Sequence, residues 1–167
     1  MLNSKHDIDL KNETLIYVKQ FKIHEDQQEA VQRHVEELLK LGVVRPSYSK
    51  FNSSMFVMAK KDWGVRIFQD FCALNQQTMV DKYSMRDVQE CINEIGQTEG
   101  TIFSTIYLTS GFWQMMLSPE LQKYTAFMIP EVGQFEWNAS PVALLGAPGS
   151  FQRVVEIIIN NLSNILA

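Results

Sequence analysis

Apolar residues recur at helical spacing between Glu25 and Leu41, where Val31, Val35, Leu38 and Leu39 share one face. Acidic residues crowd the first turn of this stretch and Gly42 stands where a left-handed cap is wanted, so the pattern predicts a helix. Before it, the polar and weakly patterned residues 1–22 read as a flexible lead-in, with a short alternating piece at Leu15–Val18. After it, Arg45–Ser49 breaks the pattern, Ser53–Ala59 turns apolar and β-prone, and Lys60–Gly64 reads as a hairpin loop returning into Val65–Phe71. Ser84–Ile95 predicts a second helix: Ser84 is a candidate cap, Asp87 follows three residues later, Val88, Ile92 and Ile95 are helically spaced, and Gly96 ends the run. Thr101–Leu108 alternates Ile102, Ser104, Ile106 and Leu108 against Phe103, Thr105 and Tyr107, which predicts a strand with one buried face. Tyr124–Ile129 and Gln134–Asn138 flank Pro130–Gly133 as a β-hairpin. A third helix starts around Gly146–Ser150, with Phe151, Val154, Val155, Ile158 and Leu162 on its apolar side and Pro148 near its first turn. Strands and helices interleave without βαβ regularity, so the expected class is α+β, an antiparallel sheet with packed helices.

Composition adds limits more than direction. The 167 residues are 46% apolar and 20% charged, which suits one globular domain with its own core. Two cysteines, Cys72 and Cys91, make no disulfide framework, and no apolar run approaches a membrane span or a signal-peptide core. The expectation is a soluble intracellular protein, cytoplasmic or nuclear, with no membrane partner. The net charge of −4 argues against a general nucleic-acid binder, but the charge is uneven. Lys40, Arg45, Lys50, Lys60, Lys61 and Arg66 face a single acid, Asp62, over their stretch, whereas 4 basic and 10 acidic residues follow Arg66. Such a patch is either a solvated face or a surface for phosphates.

Four blocks carry a more specific signal: RPSYSKFNSSMFVMAKKDWGVRIFQDFCALNQQT, DKYSM, TIFSTIYLTSGFWQMMLSPELQKYTAF and FEWNASPVALLGAPGSFQR. Together, in this order and spacing, they resemble the fingers and palm of a reverse transcriptase from a Ty3/gypsy-type long-terminal-repeat retroelement. The likeness runs from about Ile23 to the C-terminus and implies fingers with part of a palm over 23–167. It also implies roles. Lys60, Lys61 and Arg66 match the fingertip cations that grip an incoming triphosphate, which guanidinium and ammonium groups do well. Asp70 and Phe71 match a pair near the template, Phe112 the aromatic residue beneath the sugar, and Gln152 with Arg153 the start of the palm helix. For each aromatic residue the bland alternative is plain core packing.

Departures from the pattern bear on activity. Active members hold two Mg²⁺ ions with three aspartates, one at the end of a palm strand and two in a later Y-x-D-D hairpin. Here Tyr107 occupies the first position, and a phenol keeps its proton at neutral pH, whereas Mg²⁺ wants hard anionic oxygens. No acidic residue lies between Gly100 and Pro119, and the final residues, NNLSNILA, fall just short of the expected Y-x-D-D segment. Cys72 stands where arginine is usual, and Ala143 where glycine lets backbone approach the nucleotide. Two readings follow. One is a non-catalytic remnant without catalytic or metal-binding residues and without a cofactor, kept as a binding or interaction module. The other is an RNA-directed DNA polymerase active only within a longer polyprotein. Weak nucleotide or nucleic-acid binding through Lys60, Lys61 and Arg66 is expected, as is self-association or a protein partner at the apolar helix Phe151–Leu162.

Overall fold

The computed structural model describes residues 5–12, 14–59, 65–79, 83 and 86–159. Among these, the elements are β1 (Lys5–His6), α1 (Glu25–Lys40), β2 (Val44–Pro46), β3 (Met55–Ala59), β4 (Val65–Gln69), α2 (Cys72–Gln77) and α3 (Val88–Gln97). They continue with a 3₁₀ turn (Gly111–Gln114), β5 (Met116–Leu117), α4 (Pro119–Gln122), a second 3₁₀ turn (Lys123–Thr125), β6 (Phe127–Ile129), β7 (Gly133–Trp137) and α5 (Ala147–Ile159).

α1 buries Val31, Val35 and Leu38 and ends as its sequence requires: Gly42 takes φ +70° and its N–H donates to the Leu39 carbonyl at 3.0 Å. The chain turns there into β2, which forms the edge of an antiparallel sheet in the order β2–β7–β6. β3 and β4 form a separate antiparallel hairpin in the register Met55↔Gln69 to Ala59↔Val65. The core lies between α1 and these sheets, with Met55, Leu74, Phe127, Phe135 and Trp137 among its members. Burial of each such side chain stabilises the fold by about 1.5–3 kcal/mol. Arg45 and Glu136 face each other across β2 and β7, and the Arg45 Nε and Nη2 donate to Glu136 Oε1 at 2.9 and 2.8 Å. Ser47 Oγ donates to the other oxygen at 2.5 Å, so a carboxylate only 9% exposed is satisfied on both sides.

Three sequence expectations change. The stretch read as a flexible lead-in is built into the body: β1 pairs in parallel with β5, His6 and Ile8 are buried, and Gln20 bonds both backbone groups of Met55. Its buried residues are too few and too widely spaced to register as a periodic pattern. The second helix begins later, at Val88, capped by Asp87, whose carboxylate accepts the Gln89 and Glu90 N–H groups; Ser84 lies outside the described residues. The strand expected over Thr101–Leu108 is absent as a strand, and residues 101–110 are all exposed. Alternation selects a face only where a neighbouring strand takes up the backbone groups, and no described strand does so here.

The remaining elements follow expectation. The hairpin around Pro130–Gly133 is formed by β6 and β7, and α5 starts at Ala147 with Pro148 in its first turn. On α5, Val154 is buried, but Ile158 is 48% exposed, contrary to its assignment to the packed face; Leu162 lies outside the described residues. Among the described residues no helix is long and apolar enough to cross a membrane.

Candidate functional site

Among the expected site residues, Phe112 and Gln152 lie on elements that touch, the 3₁₀ turn at Gly111–Gln114 and the start of α5. Phe112 is half-buried and packs on Phe151, with ring centroids 5.4 Å apart. That contact depends on Gly111, because a Cβ there would lie 2.7 Å from the Phe151 ζ carbon. Gln152, one residue further along α5, donates from its amide to Glu156 Oε1 at 3.1 Å. Glu156 also accepts from the Tyr83 hydroxyl, and Arg153 lies over the Tyr83 ring at 4.5 Å. The Tyr83 bond holds the Glu156 carboxyl below the usual carboxylate range and, with some burial, raises the phenol of Tyr83.

Asp70 and Phe71 precede α2. Asp70 Oδ1 accepts the Cys72 N–H at 2.9 Å, and hydrogen bonds from Cys72 depress its carboxyl while raising the Cys72 thiol. Phe71 is 1% exposed and belongs to the core, so its present work is packing. Arg66 sits in β4 opposite Met58, while Lys60 and Lys61 lie outside the described residues.

Tyr107 lies in the exposed stretch before the 3₁₀ turn and is itself 87% exposed. The residues near it in sequence do not fit Mg²⁺: a tyrosine stands at the position the resemblance assigns to a carboxylate, and residues 100–119 include no Asp or Glu. Among the described residues no group of three or more His, Cys, Asp or Glu side chains could hold a metal ion.

One residue escaped the sequence reading. The Asn75 amide donates to the Ala143 carbonyl at 2.9 Å and accepts the Leu145 N–H at 2.9 Å, clamping the loop before α5 onto α2. Within that loop Ala143 adopts φ +75°, in the left-handed region that favours glycine. The only sequence signal was the alanine in a glycine position; an asparagine on a short helix is otherwise unremarkable.

No family model matches the chain. It is 34% identical over 150 residues to the enzymatic polyprotein of figwort mosaic virus, an alignment covering 87% of this chain and 22% of that protein. Against the retrovirus-related Pol polyprotein from transposon 297 of Drosophila melanogaster it is 31% identical over 165 residues, covering 96% of this chain and 15% of the relative. In fold it matches the protease–reverse transcriptase of prototype foamy virus, with a TM-score of 0.81, 23% identity, and coverage of 98% of this chain and 22% of that one. A foamy viral protease–reverse transcriptase solved with an RNA/DNA hybrid superposes equally well, at a TM-score of 0.81. The fold is that of the fingers and palm region of a reverse transcriptase. The chain is homologous to the reverse transcriptase region of retroelement and pararetrovirus polyproteins, and it spans about a fifth of the length of the relatives compared here.

Proposed function

We propose that this chain is a non-catalytic reverse-transcriptase module that retains a nucleic-acid or nucleotide contact surface and lacks RNA-directed DNA polymerase activity. The observation that carries the reading is Tyr107: resemblance to the family assigns that position to a metal-holding aspartate, and the surrounding residues 100–119 offer no carboxylate in its place. Two-metal phosphoryl transfer requires a clamp of anionic ligands on ions about 4 Å apart, and a neutral phenol at one ligand position weakens that clamp before chemistry begins. Supporting a contact surface are Arg66 in β4 and, between β3 and β4 in the sequence, Lys60 and Lys61, in a chain that is acidic outside residues 40–66. Phe112, which packs on Phe151 beside Gln152, and Asp70 are matched by the resemblance to nucleotide or template positions. Solved foamy viral relatives are complexed with an RNA/DNA hybrid and with double-stranded DNA, which makes such duplexes the probes of choice.

Binding of a labelled RNA/DNA hybrid, followed by fluorescence anisotropy across a salt series, tests the retained surface. Affinity is expected to be weak and to fall steeply with salt, because binding through cations releases counterions. Replacing Lys60, Lys61 and Arg66 together by alanine is expected to abolish it. Salt-insensitive binding, or binding that survives the triple variant, contradicts the assignment.

The limited share of its relatives that the chain spans favours a second reading, a polymerase working inside a longer polyprotein. That reading predicts nucleotide incorporation by the longer protein with tyrosine retained at position 107.

A further inference from the structure

Between α1, the β3–β4 hairpin and the loop before α5 lies a cavity of about 100 Å³, bounded by Leu38, Met55, Trp113, Trp137 and Val142 among others. We propose that it is a binding site for a small neutral molecule built on a single aromatic ring. Its lining contains neither Tyr107 nor Asp70 nor Phe112 but shares Ala143 with the position matched to the nucleotide-approaching glycine, and the inference does not depend on the polymerase reading.

Voids in proteins usually close by relaxation of their walls, and the cost of a cavity depends on how far they can collapse. Here the walls are held by hydrogen bonds at Trp137, Gln69 and Ala143 and by packing elsewhere. The Trp137 indole N–H donates to Gln69 Oε1 at 2.6 Å, and the same amide donates to the Thr125 carbonyl at 2.9 Å. Trp113 is set against Trp137 with ring centroids 6.1 Å apart. On the opposite side Pro141 is fully buried and the Asn75 clamp holds Ala143 and Leu145. The wall facing α1 is Val35 and Leu38, both buried in the core.

The lining dictates the ligand. It is mainly apolar and aromatic, with His34 as a polar member on the α1 side, and both ends of the Gln69 amide are engaged by Trp137 and Thr125, so a neutral, largely apolar molecule suits it better than an ion. Aromatic faces and edges favour a ring with its own quadrupole over an aliphatic chain. Size sets the limit: the space is smaller than the apolar cavity of about 150 Å³ that accepts benzene, so it has room for one ring at most. Val142, 60% exposed, and the exposed Ala143 belong to the lining and mark the side open to solvent.

The test uses ¹⁹F NMR of fluorobenzene titrated with the whole chain, beside 1-fluoronaphthalene and the variant Val142→Trp. Saturable fluorobenzene binding in the region of about 1 mM is expected, as befits a ligand with few atoms. Val142→Trp should block the mouth and weaken binding at least about tenfold while leaving Tm unchanged, since residue 142 is a surface position. Should that variant fold poorly, the size series decides alone: 1-fluoronaphthalene is expected not to bind. The proposal is overturned by absence of saturable fluorobenzene binding to folded protein, by equal affinity in a folded Val142→Trp variant, or by equal affinity for the two-ring probe.

Discussion

Gly111 illustrates how a single position couples the two elements that would flank a substrate. A methyl group there meets the Phe151 ring at 2.7 Å, closer than packed carbons approach. Gly111→Ala is therefore expected to push Phe151 away from Phe112 and to destabilise the protein by about 1–3 kcal/mol, measured by urea denaturation. Stability equal to the parent would show that the aromatic pair shifts freely. At this scale the sequence was legible where a residue type has few uses, as with Gly42 at the end of α1 or Pro148 in the first turn of α5. It was silent on Asn75 and on the Arg45–Glu136–Ser47 cluster, because those roles depend on partners 68 to 91 residues away in the chain. Phe71 shows the converse: resemblance suggested a template contact, while burial makes it a core residue.

Elements with their own periodicity and punctuation were read well, and those that need a neighbour were not. α1, the two hairpins and the start of α5 follow from apolar spacing and turn residues. The alternation of 101–108 forms no strand among the described residues, since a strand is a property of a pair. α5 separates its residues by position. Val154→Ala is expected to cost about 2 kcal/mol and Ile158→Ala under about 1 kcal/mol, because only Val154 is enclosed. Equal, large losses at both sites, in denaturation by urea, would indicate that a partner or second copy covers Ile158. The tie from Tyr83 to Glu156 gives α5 a pH dependence. Because the folded-state pKa of Glu156 is depressed, the tie stabilises above the ordinary carboxylate pKa and is lost as pH falls through the lowered value. Hydrogen exchange along α5 is expected to quicken over that acidic range in the parent, and Tyr83→Phe is expected to remove the change; an unaltered profile in the variant would place the dependence elsewhere.

Across the whole molecule, fold and chemistry diverge. A reverse-transcriptase fingers and palm fold matches over 98% of the chain, yet the residue at position 107 is one that Mg²⁺ does not choose. Fold class was visible from the order of the elements, and four short blocks carried the likeness to a reverse transcriptase. Lys60 and Lys61 lie outside the described residues, so the fingertip role proposed for them rests on the sequence and is tested by the binding experiment. The most direct measurement is primer extension on an RNA template by the purified chain with Mg²⁺ or Mn²⁺, run beside Tyr107→Asp. The account predicts no template-dependent incorporation by the parent, and none by the variant, because one restored carboxylate does not complete a two-metal clamp. Reproducible template-dependent incorporation by the parent protein, with contaminating polymerases removed, would contradict it.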